Sequence, residues 1–267
     1  IDNLNDYYDP QLKQARLAPL NKNPNFRFHH AAIEDPDVLK NLFEANGFDA
    51  VIHLAAQAGV RYSIENPRSY LNSNLIGTFE LLEAARAHPP KHMLLASTSS
   101  AYGANEAMPY QETQRADHQM SFYAATKKST EAMAHSYAHL YQLPITMFRF
   151  FTVYGPWGRP DMAPFKFTDA ILNDRPIDVY NHGNMRRDFT YVDDLVQALI
   201  LLIETPPSDT PVTTEDSLSP VAPHRVLNIG NNAPVALEEF IAAIEAATGR
   251  SATRNLMDMQ AGDVPAT

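Results

Sequence analysis

The sequence predicts an α/β fold: a doubly wound parallel sheet with helices on both faces. Two observations predict it. Short apolar runs recur along the chain, each flanked by polar or turn residues, which is how strands buried on both faces read. Helix-length segments lie between them, and strand alternating with helix is the order a parallel sheet with crossover helices requires.

The first helix-length segment begins with Asp35 as N-cap and Pro36 in the first turn, and ends at Gly47. Asp49 to Ala56 follows as a fully buried strand. Asn66 to His88 is the second helix and Lys91 to Thr98 the second strand. Ser121 to Tyr141 is the third helix, and Pro144 to Phe151 the third strand. Thr205 to His224 is rich in Pro, Ser, Thr and acids and has no period, so it reads as a surface loop, of a length that is often mobile. From Ala233 a helical pattern resumes through Leu237, Phe240, Ile241 and Ile244, with Gly249 as its C-cap.

Composition narrows the function. With 267 residues, 45% of them hydrophobic, the chain can bury a large core. It has no cysteine, which excludes a disulfide framework, a thiolate metal site and a thiol nucleophile. No apolar run approaches a membrane span and no signal peptide is visible, so a cytoplasmic protein without a membrane partner is expected. A net charge of -10 argues against nucleic acid as a partner. The ten histidines show no ligand spacing, and His29-His30 reads as a strand edge, so no metal is expected.

The candidate chemistry sits at the carboxyl ends of the predicted strands, where this architecture binds ligands. Ala55-Ala56-Gln57, Ser97 to Ser100 and Thr152 all fall there. Tyr123 and Lys127 stand four residues apart, so phenol and ammonium share one helix face. A cation there stabilises phenolate, which is expected to move the pKa of Tyr123 down towards neutrality, where a general base works best. An amphipathic helix with a partly exposed tyrosine satisfies the same spacing.

Collinear motifs then carry a resemblance over essentially the whole chain. They are Ile1-Asp2-Asn3-Leu4-Asn5-Asp6-Tyr7-Tyr8-Asp9, Ala55-Ala56-Gln57-Ala58-Gly59-Val60-Arg61 and the Tyr123 helix. Further on come Arg149 to Met162, Arg187 to Asp194, Val226 to Asn231, and Gly262-Asp263-Val264-Pro265. In these pieces the chain resembles the extended short-chain dehydrogenase/reductase enzymes, specifically the UDP-glucuronate 4-epimerases. The resemblance implies a Rossmann-type sheet with a smaller C-terminal substrate lobe. The nucleotide-binding core would cover residues 1–153 and return at 187–204 and 225–231, with 154–186 and 232–267 forming the lobe. It also implies a first strand and glycine-rich turn about twenty residues ahead of Asp2. That segment is absent from these 267 residues, so a longer enzyme is expected.

By the same resemblance the cofactor is NAD, met by Asp2, Asn3, Ile33, Leu54, Ala55, Ala56, Gln57 and Asn74 together with Tyr123 and Lys127. A carboxylate at Asp2 would hold the adenosine ribose hydroxyls and repel a 2′-phosphate. Ala32 stands where relatives usually carry an Asp for the adenine amine, which puts that contact in doubt. Thr98, Tyr123 and Lys127 would be catalytic. The UDP-sugar would meet Arg61, Ser99, Ser100, Thr152, Arg159, Phe165, Tyr180, Arg187 and Asp263. The anionic ligands face an acidic chain, so a few placed cations must meet them: Arg61, Lys127, Arg159, Arg186 and Arg187. Serines at 99 and 100 replace the acids of dehydratases and the glutamate of decarboxylases, so elimination chemistry is disfavoured. Thr152 and Arg159 point to a uronic acid, with Arg159 pairing to Asp161 as the plainer reading of that arginine. Asp188, Asp193 and Asp194 look like scaffold and helix-start acids. A homodimer pairing the helices near residues 66–88 and 121–141, supplying galacturonate for surface glycans, is also implied. A UDP-glucose (or N-acetyl) 4-epimerase, a UDP-xylose-forming decarboxylase and an inactive nucleotide-sugar binding module remain as alternatives.

Overall fold

A computed structural model describes all 267 residues. The first helix, α1 (Pro10–Leu20), is capped by Asp9, whose carboxylate accepts the Gln11 N–H at 2.8 Å. Next come α2 (Val38–Ala45) and β1 (Ala50–His53). A composite helical stretch follows: the single turns α3 (Tyr62–Glu65) and α4 (Pro67–Tyr70), a π-helical turn at Leu71–Ile76, and α5 (Gly77–Ala87). Then come β2 (His92–Ala96), a 3-10 turn at Ser99–Tyr102, and α6 (Phe122–Tyr141). The Ser121 hydroxyl caps α6 by accepting the Ala124 N–H at 3.1 Å.

The chain continues through β3 (Ile145–Phe150), β4 (Thr152–Tyr154), α7 (Ala163–Leu172) and β5 (Ile177–Val179). Next are a 3-10 turn at Tyr180–Gly183, β6 (Arg186–Tyr191) and α8 (Val192–Ile203). Finally come β7 (His224–Ile229), β8 (Pro234–Ala236), α9 (Leu237–Thr248) and β9 (Arg254–Leu256).

Strands β1, β2, β3 and β7 form one parallel sheet in that order. Side chains alternate across it, as a strand period of two requires. Met93, Leu95, Ile145 and Met147 face one cluster, which α2, α5 and α6 close with Leu39, Phe43, Leu81, Leu82, Ala134 and Ala138. Leu94, Ala96 and Phe148 face the other, closed by Leu195 and Leu199 of α8. Apolar helices on both faces make the sheet doubly wound, as expected. Smaller sheets, β4-β6-β8 and β5-β9, lie beyond the carboxyl end of β3 in the chain. A third apolar cluster joins Ala170, Ile171, Ile177, Val179 and Ile241. Asp2 pairs in parallel with His30 as an isolated bridge, separate from the four-stranded sheet.

Four local expectations change. The strand at Asp49–Ala56 is not fully buried: β1 is an edge of its sheet, and Ile52 and Leu54 are exposed. Helix α2 starts at Val38 instead of after Asp35, because Asp37 takes a left-handed φ of 66° that breaks the helical run. The segment from Ala233 first forms β8, paired antiparallel to β6, before the helix begins at Leu237; Gly249 ends it with φ 67°. The 205–224 loop is pinned, not merely exposed. Asp216 accepts Nε and Nη2 of Arg225 at 2.8 and 2.9 Å, and His224, expected in the loop, opens β7.

No helix is long and apolar enough to cross a membrane.

Candidate active site

The carboxyl ends of β2 and β3 open on a cavity of about 840 Å³. The chain turns out of β2 at Thr98, whose hydroxyl accepts the Ser100 N–H at 3.2 Å and so caps the 3-10 turn carrying Ser99 and Ser100. Helix α6 brings Tyr123 to the same place. All ten residues expected to meet the UDP-sugar or its carbon 4 line this cavity: Arg61, Thr98, Ser99, Ser100, Thr152, Arg159, Phe165, Tyr180, Arg187 and Asp263. They come from eight separate stretches of chain, so the fold, not sequence proximity, assembles them.

The electrostatics around Tyr123 differ from the sequence expectation. Burial pushes its phenol above the ordinary tyrosine range. The Thr98 hydroxyl and the Arg159 guanidinium favour the phenolate and oppose that rise. The expected lowering by Lys127 is not the dominant effect. Lys127 is itself buried, and the same desolvation lowers its ammonium to about 8, with Glu131 opposing. It lies beneath the cavity instead of lining it. A buried cation loses hydration as the buried phenol does, so sharing a helix face did not suffice to set the direction.

The arginines divide by partner. Arg159 gives Nε to Asp161 Oδ1 at 3.0 Å and Nη2 to Asp161 Oδ2, so the plainer pairing and the cavity position both hold. Arg61 stacks over the Tyr180 ring at 4.4 Å and lies 3.8 Å from Asp263. Arg187 donates Nη1 to the carbonyls of Arg186 and Pro265 at 2.9 and 3.2 Å, which orients its guanidinium at the cavity wall. Arg186, also counted among the placed cations, instead donates to the Pro234 carbonyl and stays outside the cavity.

Apart from Tyr123, the residues expected at the cofactor lie outside this cavity. Asp2 is exposed, accepts the Leu4 N–H at 2.7 Å and lies 3.9 Å from Lys13; Asn3 accepts the Asn5 N–H at 3.1 Å. Ile33 is core, and its Cδ1 would lie 2.5 Å from a Cβ placed on Gly77, so only glycine permits that contact. Leu54 is exposed, Ala55 and Ala56 are half-buried, and Gln57 is buried. Asn74 sits in the π-helical turn, fully buried, bonded to the Gln57 backbone and to Thr126.

Tyr7, at the cavity, and Glu131, buried outside it, are not among the site residues expected from the sequence. Tyr7 lines it and donates to Asp161 at 3.0 Å, across 154 positions of chain. Glu131, one turn beyond Lys127, binds Arg149 through Nε and Nη2, both at 2.8 Å. The i+4 step from Lys127 was the available signal for Glu131; nothing local signals Tyr7.

A profile described as the NAD dependent epimerase/dehydratase family matches residues 5–229. The chain belongs to that family. It is 54% identical to a probable UDP-glucuronate 4-epimerase of Rhizobium meliloti, over 100% of this chain and 80% of that one. Among solved structures it resembles the UDP-glucuronic acid 4-epimerase of Bacillus cereus in complex with UDP-glucuronic acid and NAD. There the TM-score is 0.87 and the identity 31%, covering 100% of this chain and 79% of that one. It also resembles a UDP-glucose 4-epimerase of Thermotoga maritima with UDP-glucose, at TM-score 0.82 and 27% identity, covering 100% and 79%.

Proposed function

We propose that this epimerase inverts carbon 4 of UDP-glucuronate to give UDP-galacturonate, with NAD as its cofactor. One observation carries the reading: Tyr123, Thr98, the paired serines 99 and 100, Thr152 and Arg159 line one cavity that holds no acid pair at the serine positions. Hydroxyls and a guanidinium hold a carboxylate, and they do not run an elimination.

The residues present fit NAD by their chemistry. Asp2 offers an exposed carboxylate for ribose hydroxyls, Ala55 and Ala56 allow close approach at a strand end, and Lys127 offers a buried ammonium as a donor. When bound, NAD supplies acceptance and return of a hydride at carbon 4. The chain does the rest. Tyr123, with Thr98 and Arg159 favouring its ionised form, takes the proton of the 4-hydroxyl and returns one to the 4-oxygen. The cavity lets the sugar turn over between the two events while Arg187 and Tyr180 hold the UDP part. Ser99, Ser100, Thr152 and Arg159 hold the carboxylate.

The 154–186 and 232–267 segments act as the substrate lobe in this reading, supported by the apolar cluster that joins α7, β5 and α9. A cytoplasmic location and a homodimer are part of it, the homodimer supported by exposed apolar residues on the two helices concerned: Phe79 on α5, and Leu140 and Tyr141 on α6. A second reading, action on UDP-glucose, is favoured by the Arg159–Asp161 pairing, which neutralises the guanidinium before substrate arrives. Purified protein incubated with each UDP-sugar and analysed by anion-exchange chromatography decides between them. Conversion of UDP-glucuronate at least about tenfold more efficient than that of UDP-glucose is expected. Equal or better turnover of UDP-glucose overturns the uronate assignment.

A further inference from the structure

Tyr123 and Lys127 are followed on the same face of α6 by Glu131, one helical turn on. Its side chain is only 4% exposed, and four donors converge on its carboxylate. They are Ser97 Oγ at 2.6 Å, Arg149 Nε and Nη2 at 2.8 Å each, and Lys128 Nζ at 2.9 Å. These partners adjoin the site: Ser97 precedes Thr98, Lys128 follows Lys127, and Arg149 stands in β3 just before the turn to Thr152. A carboxylate that only filled core space would be better replaced by an apolar side chain, because desolvating charge is costly.

We propose that Glu131 is a positioning residue for the reaction assigned above: its carboxylate fixes the end of β2 through Ser97, locks α6 to β3 through Arg149, and supplies the counter-charge for Lys127. This role rests on the proposed function only for the name of the reaction. Lys127 faces Tyr123 and Glu131 along α6 and His53 from β1. Glu131 faces Lys128 on its own helix, Ser97 and Arg149 from β2 and β3, and His224 from β7. Glu131 favours the charged form of Lys127, and burial opposes it. Its own ionisation is secured by Arg149, Lys128 and Ser97, which hold the carboxyl down at about 2 despite burial. Glu131 is therefore a fixed charge at every working pH, placed one turn below the ammonium it supports.

The test reads Lys127 directly, without turnover. Protein carrying 13C at lysine Cε is titrated by NMR, and the Lys127 resonance is assigned by its loss in Lys127→Met. Glu131→Gln keeps the shape of the side chain and removes the charge; the Lys127 midpoint is expected to fall by roughly one pH unit. Glu131→Asp keeps the charge but draws it back by one methylene, and is expected to lower the midpoint by less. If Glu131→Gln does not fold, the Asp variant decides alone. A Lys127 midpoint unmoved in the folded variants overturns the proposal, since a merely structural acid lowers stability without that graded shift. Failure of the wild-type protein to convert any UDP-sugar would overturn the proposed function and leave this titration standing.

Discussion

Asn74 serves Gln57 as a stand-in for a neighbouring strand: its side chain accepts the Gln57 N–H at 2.8 Å and donates to the Gln57 carbonyl at 3.1 Å. A third bond, to Thr126 Oγ1 at 3.0 Å, ties the same amide to α6. The loop leaving β1 is thus fixed to the helix that carries Tyr123, by a residue in a π-helical turn, a local widening that often marks functional positions.

Asn74→Ala is therefore expected to destabilise the fold by about 2–4 kcal/mol, because two backbone groups of a buried residue lose their partners. Asn74→Asp should be no better, although it is nearly isosteric. A carboxylate still accepts the Gln57 N–H, but it meets the Gln57 carbonyl and the Thr126 hydroxyl without a proton for the former. Urea unfolding of the three proteins checks this order. An Asp variant as stable as the wild type would show that the amide donates nothing.

Stability should also fall on the acid side of neutrality through His224. Burial lowers its imidazole to about 4, and its Nε2 has no hydrogen-bond partner. The folded value lies below the unfolded one of about 6.5, so on acidification the unfolded chain takes up a proton before the native state does. The contribution is complete above about pH 6.5 and is lost progressively towards pH 4, to the extent of about 3 kcal/mol. His53, lowered by burial to about 3, adds a loss of the same sign that continues further down. His224→Phe keeps a planar ring and removes the titration, so its urea midpoint should depend less steeply on pH between 6.5 and 4. An unchanged slope would remove His224 from the acid response.

Tyr123→Phe should fold and bind as the wild type does and lose activity by at least about a hundredfold, the scale of a lost general base. Thr98→Ala should lose less, since Arg159 still favours the phenolate. Its alkaline-going activity limb should move to higher pH, because burial then raises the phenol with one fewer opponent. Steady-state rates from about pH 7 to 11 separate this from a loss of binding, which would change KM and leave the limb in place.

How far the sequence could be read follows from the range of each interaction. Strands β2 and β3 were legible because both faces are buried, so nearly every residue of Met93–Ala96 and Ile145–Phe148 had to be apolar or small. The start of α6 was legible because Ser121 caps locally. Exposure of Ile52 was not legible, since an edge and a centre strand share one apolar pattern. The left-handed Asp37 and the Asp216–Arg225 clasp depend on backbone geometry and on a partner across the loop. The candidate site residues were expected from the family resemblance, and one cavity gathers those expected at the sugar. What composition and spacing could not give is the sign of the balance at Tyr123. That depends on how deeply phenol and ammonium are buried together, and an i, i+4 pair reads alike on a wet or a dry face.

The serines make the sharpest chemical prediction. Oxidation at carbon 4 of a uronate leaves a ketone β to the carboxylate, an arrangement that loses carbon dioxide readily when the breaking bond lies parallel to the carbonyl π system. Hydroxyls of Ser99 and Ser100, presented by the 3-10 turn that Thr98 caps, line the cavity wall with Thr152 and Arg159, and in the proposed function they would restrain the carboxylate. Ser99→Ala with Ser100→Ala keeps the turn, whose cap is the Thr98 hydroxyl and the Ser100 backbone N–H. It removes two donors, each worth about 1.5–3 kcal/mol to a charged acceptor. The proportion of UDP-pentose to UDP-galacturonate among the products should therefore rise by at least about tenfold, while consumption of UDP-glucuronate falls less. Mass spectrometry of the product mixture measures both. If the double variant slows without any pentose forming, the serines only bind, and the restraint must rest on Thr152 and Arg159.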